Sequence, residues 1–216
     1  MERTEKFQNE LLNWEDTVRK RKITLSNPVF IKGLALAPLA VAATTVKNSA
    51  ILSIMVILLL TPTRIITSLI TRKMSVPLKT FFYPLVSAMV FGLAYYGMYK
   101  VMGTVALSLG VYLPILVVDP LIVKNFEKTR KESFTYSIIN GLRNTAGFVL
   151  ACMLLGTIRE MLAFGTFAGI QITAVKLLPM AQHSFGGFLI IGLISAVWNN
   201  FARMYKAKLE REVRGL

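Results

Sequence analysis

The sequence predicts an all-α integral membrane protein with six transmembrane helices, arranged as two inverted three-helix repeats whose first and fourth helices are broken. Three observations predict it. Hydrophobic residues make up 54% of the 216 and mean hydropathy is +0.57, more apolar surface than a soluble domain of this size can hide. Six apolar stretches, 29–47, 50–71, 78–99, 103–124, 141–163 and 183–203, each approach the roughly 20 residues that a helix needs to cross about 30 Å of hydrocarbon. The first and the fourth read as broken near the middle, at Pro38 in Leu36-Ala37-Pro38-Leu39 and at Pro114 and Pro120 in Leu113-Pro114-Ile115-Leu116-Val117-Val118-Asp119-Pro120. A proline inside a spanning helix frees carbonyls that lipid cannot satisfy, so paired interruptions point to half-helices meeting at a protein-lined site.

The first element, residues 1–28, is expected to be a cytoplasmic amphipathic segment. Phe7, Leu11, Trp14 and Val18 recur at helical spacing and precede Arg19-Lys20-Arg21-Lys22, a pattern suited to the membrane interface or to a partner subunit. Its acidic residues and lack of an apolar core argue against a cleavable signal. Asn27-Pro28 marks the start of the membrane domain, 29–203, and 204–216 forms a basic cytoplasmic tail.

Charge fixes the expected orientation. Of 25 Lys and Arg residues, seven lie at or before Lys32, three in 72–79, five in 124–143 and five from Arg203 onward. Positive loops stay in the cytoplasm, so both termini are expected there, in the cell inner membrane. The same partition accounts for the net charge of +14 through topology and anionic lipid; no nucleic-acid motif is present.

The two interrupted spans lie in opposite halves and run in opposite directions, and Val46-Lys47-Asn48 echoes Val123-Lys124-Asn125 near their ends. An inverted repeat would bring spans 1 and 4 together at the centre. Thr44, Thr45 and Asp119 are nearly all the polar lining there. Asp119 suits either a bound cation or the cap of a half-helix. Arg159 and Glu160, inside the fifth span, are adjacent and so point in different directions; each is expected to find partners elsewhere, in a structural or interface role. Arg64 is expected either to snorkel or to neutralise Asp119.

The remaining polar residues argue against an ordinary enzyme. His183 has no metal-binding company, the serines lack a His and Asp arrangement, and the sole cysteine, Cys152, lies away from both breaks as a small buried hydrophobe. Gly186-Gly187 and Gly192 are expected to let helices pack closely. Phe81, Phe82, Tyr83, Tyr95 and Tyr96 suit lipid or subunit contact.

Several of these segments together resemble a known family. Asn27-Pro28-Val29-Phe30 followed by Leu34 and Pro38, then Asn48, Pro114-Ile115-Leu116-Val117, Asp119, Glu127, Ser133-Phe134, Asn140-Gly141-Leu142, and above all Gly156-Thr157-Ile158-Arg159-Glu160-Met161-Leu162 with Gly165-Thr166 are similar to the six-helix membrane subunits of the Rnf and Nqr respiratory complexes, namely the E subunit of Rnf and the D subunit of Nqr. The likeness covers about residues 27–203.

The resemblance implies a membrane subunit of a multi-subunit complex that passes electrons from a low-potential donor such as ferredoxin, or from NADH, often coupled to Na⁺ or H⁺ movement. It also implies a homologous six-helix partner and other subunits bearing flavins and iron–sulfur clusters. In that family one cysteine from each broken helix contributes to a [2Fe–2S] cluster shared with the partner. Here those positions fall on Ala37 and Pro120, neither of which ligates iron. This chain alone is therefore expected to bind no cofactor. The alternative is a stand-alone ion or small-molecule transporter built on the paired broken helices, with Pro38, Thr44, Thr45, Pro114, Asp119, Arg159 and Glu160 near its path.

Overall fold

The computed structural model describes residues 27–31, 33–70, 76–104, 109–118, 134–173 and 175–214. It is mostly helical, and four helices are long and apolar: α2 (Val46–Ile70), α3 (Val76–Met102), α5 (Phe134–Phe164) and α6 (Ser184–Arg214). The parts of them long and apolar enough to cross a membrane, Val46–Ile70, Phe81–Met102, Gly141–Phe164 and Ser184–Tyr205, fall on the second, third, fifth and sixth predicted stretches. Two short helices occupy the other two: α1 (Leu36–Ala42), and α4 (Tyr112–Ile115) with a 3-10 turn at Leu116–Val118. A two-stranded hairpin, β1 (Thr166–Phe167) and β2 (Ile170–Gln171), follows α5, and a second 3-10 turn, Pro179–Gln182, leads into α6.

Neither Pro38 nor Pro114 splits a helix, and α2 and α3 run on through Pro62 and Pro84. Pro38 is the third residue of α1 and Pro114 the third of α4, where a backbone N–H has no intrahelical acceptor and its loss costs nothing. The interruptions of the first segment lie on either side of the proline. Ala35, left-handed at φ 52°, precedes α1, and Ala43, Thr44 and Thr45 separate α1 from α2. Val46-Lys47-Asn48 consequently opens α2 instead of closing the first span. Val123-Lys124-Asn125, Asp119, Pro120 and the amphipathic pattern at Phe7, Leu11, Trp14 and Val18 lie outside the described residues. At the other end, α6 continues through Arg214, so the start of the predicted tail is helical.

The contacts set the directions of the elements. On α2, Ser49 meets Cys152 and Gly156 of α5, Thr61 meets Thr145 at 3.3 Å, and Arg64 meets Gly141; the two helices are antiparallel. The segment before α2 runs the other way, with Pro28 beside Gly147 and Ala40 beside Arg159. It is antiparallel to α6: Phe30 lies 5.1 Å from Trp198 between ring centroids, and Ala40 lies against Gly187. Residues 43–45 are thus a reversal between two antiparallel arms. The rise of α5 from Gly147 to Arg159 gives the first arm a height of about 18 Å, short of the roughly 30 Å hydrocarbon layer.

Asn27 anchors the foot of that arm. It is buried, its Nδ2 donates to the Gly147 carbonyl at 2.9 Å, and its Oδ1 accepts from the N–H groups of Val29 and Phe30. The core runs through Leu39, Leu52, Met55, Leu59, Leu113, Leu116, Phe148 and Leu155, all essentially inaccessible. The α2–α5 contact is tight: a Cβ at Gly156 would overlap the Ser49 hydroxyl and lie 2.9 Å from the Thr45 carbonyl. Gly156→Ala is therefore expected to destabilise the folded chain by about 1–3 kcal/mol, as overpacking does, read as a lower unfolding midpoint in detergent.

The α3 face carrying Phe81, Met89, Leu93, Tyr96 and Val101 is open, as lipid or subunit contact requires. Tyr83, expected with that group, is buried instead, because the turn of α3 bearing it faces inward. Gly192 has open space at its Cβ position and supports no close approach among the described residues.

Candidate functional site

The reversal at 43–45 leaves two helix ends beside the part of α5 that is long and apolar enough to cross a membrane, Gly141–Phe164. Arg159 stands five residues before the end of α5 at Phe164, so the corner is inset by about 7 Å. A helix C-terminus presents unsatisfied carbonyls and a partial negative charge; an N-terminus presents N–H groups and a partial positive charge. In an apolar layer both need partners.

Arg159 supplies the first set. It is completely buried and donates to six carbonyls. Nη1 reaches Ala40 at 2.7 Å, Ala43 at 3.1 Å and Leu39 at 3.3 Å, at the C-terminal end of α1. Nε reaches Ala181 at 2.9 Å, and Nη2 reaches Gln182 and His183 at 3.3 Å, in the turn before α6. A planar guanidinium with five donors suits this double duty, whereas a lysine ammonium does not. Gly187 makes room, since a Cβ there would overlap the Ala40 carbonyl and lie 3.0 Å from Arg159 Cζ; at Gly186 it would overlap the Met180 carbonyl.

Glu160 supplies the second set. Its Oε2 accepts from the Val46 N–H, the first of α2, at 2.6 Å, and its Oε1 accepts from Gly169 N–H at 2.8 Å and Thr166 Oγ1 at 3.0 Å. It is 2% exposed. Thr45 completes the cap by accepting from Asn48 N–H at 3.2 Å, and Thr44 accepts from Asn48 Nδ2 at 3.1 Å. One step along α5 turns the side chain about 100°, so consecutive residues of opposite charge serve opposite helix poles and do not pair with each other.

The structure thus brings Thr44, Thr45, Arg159 and Glu160 into one corner. Pro38 is one helix turn away on α1; Pro114 is on α4, which packs against α1. Asp119 and Pro120 are outside the described residues. Arg64 is buried with its stem against Gly141 and does not snorkel. Sequence reasoning missed the carbonyls of 181–183, the hairpin at 166–171 and the seat of Asn27. Gly165 and Gly169, both at positive φ, were the available signal for the hairpin.

Among the described residues the side chains present do not fit an iron–sulfur cluster. Ala37 is exposed on α1 with only a methyl group. Cys152 is buried at mid-helix, its thiol 3.4 Å from the Ser49 carbonyl. Among the described residues no three His, Cys, Asp or Glu side chains gather. Clusters need thiolates, less often imidazoles.

The long apolar helices, with buried charges spent on helix ends, define the class: a polytopic helical membrane protein. The profile of the Rnf-Nqr subunit membrane protein family matches residues 17–195, and the chain belongs to that family. It is 25% identical to the E subunit of the proton-translocating ferredoxin:NAD(+) oxidoreductase complex of Clostridium ljungdahlii, covering 89% of this chain and 90% of that protein. Two E subunits of ion-translocating oxidoreductase complexes are similarly related. That of Pseudoalteromonas atlantica is 29% identical, covering 87% and 90%, and that of Methanosarcina acetivorans 27%, covering 87% and 91%.

Proposed function

We propose that this chain is the E-type membrane component of an ion-translocating electron-transfer complex linked to ferredoxin or NADH. The observation that carries the reading is the family match over 17–195, together with relatives aligned over most of both lengths and named as the E subunit of a proton- or ion-translocating oxidoreductase complex, in one case ferredoxin:NAD(+) oxidoreductase. In this reading the chain spans the inner membrane six times as two inverted three-helix repeats, with both termini cytoplasmic. The N-terminal 1–28 segment and the residues from 204 onward border the membrane domain on that side. The contact between α1 and α4 supports a central pairing of the two interrupted segments.

The chain acts as scaffold without its own half of the cluster, because Ala37 and Pro120 stand where the family's ligands would be. A homologous six-helix subunit and subunits carrying flavin and iron–sulfur centres complete the assembly. The stand-alone transporter is the weaker reading, since Thr44 and Thr45 use their hydroxyls on Asn48 and leave the corner little with which to hold an ion.

Purifying the native complex in mild detergent through a tag on this chain tests the proposal. Co-purification of a homologous six-helix subunit with flavin, iron and sulfide is expected. This chain expressed alone is expected to hold no iron. Recovery of the chain as an isolated species that catalyses ion flux in vesicles would refute the reading.

A further inference from the structure

The segment joining α5 to α6 contains Lys176, the only Lys, Arg, Asp or Glu between Glu160 and Arg203. Part of its backbone is bonded to α5 and to itself. The Gly165 N–H donates to Met161 at 3.1 Å, those of Ile172 and Thr173 to Gly165 at 2.9 Å, and that of Leu178 to Leu162 at 2.8 Å. Yet its apolar side chains face outward: Ile170 is 72% exposed, Val175 65% and Leu177 69%. Apolar side chains turned outward along such a segment suit hydrocarbon surroundings, not water.

Folding back over the end of α5, the segment leaves a groove of about 270 Å³. Ile158, Met161 and Leu162 form one wall, and Ile172, Thr173 and Leu177 the other. The first wall belongs to the membrane-spanning part of α5, and Met161 is itself open to the outside. The groove is therefore continuous with the surface that lipid tails touch. Lys176 is exposed between Val175 and Leu177, where a long stem can lie along apolar surface while its ammonium reaches the phosphate level.

We propose that this groove seats an acyl chain of an anionic phospholipid whose phosphate is met by Lys176. The inference rests on the membrane position of α5 and not on the electron-transfer reading, so the two fail independently.

The test uses the native complex in nanodiscs containing phosphatidylglycerol with a diazirine on the acyl chain, irradiated and mapped by peptide mass spectrometry. Adducts are expected within 158–177, with labelling of the complex's other spanning helices as the control. Leu162→Trp, which fills the groove, is expected to abolish the 158–177 adducts and leave the control labelling. Lys176→Gln is expected to lower the yield from phosphatidylglycerol about five-fold, the worth of one lysine near an anionic surface, and to leave that from the phosphatidylcholine analogue unchanged. A blank 158–177 region beside labelled control helices, as a protein subunit seated on the groove would give, overturns the proposal. So does labelling that is equal for the two lipids and indifferent to Lys176→Gln.

Discussion

Arg159→Leu is expected to destabilise the folded chain by about 3–5 kcal/mol, the range for removing one side of a buried charged network. Six carbonyls lose the guanidinium at once, those of Leu39 and His183 keeping backbone donors in the N–H groups of Ala43 and Gly187, and within an apolar layer no water replaces it. The loss is concentrated at two places, the C-terminal end of α1 and the turn at 181–183 before α6. Those elements are expected to come apart from α5 while α2 and α5 stay paired. Arg159→Lys keeps the charge but has three donors on one atom and cannot serve both carbonyl groups, so it is expected to recover only part of the loss. Denaturant titration in mixed micelles gives the midpoints; an unchanged midpoint for Arg159→Leu would show that the carbonyls have other partners.

The second large effect is expected at Glu160. Glu160→Ala removes three acceptor contacts to Val46, Gly169 and Thr166, hydrogen bonds to a charged group worth about 1.5–3 kcal/mol each before relaxation. A net loss of about 2–4 kcal/mol is expected, because the hairpin can shift and let its own groups find other partners. Glu160→Gln keeps the shape and one acceptor oxygen and is expected to cost about half as much. Because both residues hold the same reversal, the double variant should fall short of the sum of the single losses by about 1 kcal/mol, the coupling that a double-mutant cycle reads between neighbours. Strict additivity would mean that α1 and the start of α2 are held independently.

How much of this was legible in the sequence follows from the range of each interaction. The four long helices were visible because an apolar run of spanning length has few other uses; their apolar parts match the predicted stretches to within a few residues, while α5 begins earlier, at Phe134, and α6 runs on to Arg214. The start of α2 moved from 50 to Val46 because Thr45 and Glu160 cap it, and the Glu160 contact is 114 residues away in sequence. That Arg159 and Glu160 point apart follows from helix geometry alone. Their partners were hidden, since they are backbone groups, which every residue has and no residue type betrays. The interruptions were placed at Pro38 and Pro114 because proline is the visible breaker; in the fold each sits in a first turn, where it breaks nothing. Tyr83 was assigned to an outward group from its type, although position on the helix, not type, decides which way a ring faces. Gly187 was read as a place of close approach, but only the fold shows that the neighbour is the Ala40 carbonyl.

The reversal at 43–45 also constrains how the chain is made. The donor that closes it is encoded 116 residues downstream of Ala43, which at about 5–20 residues per second means roughly 6–23 s of translation. During that interval the first arm and α2 leave the ribosome with polar ends that hydrocarbon cannot solvate. The N-terminal hairpin must therefore wait at the insertion machinery, or lie shallow at the bilayer surface, until the fifth helix arrives to admit it.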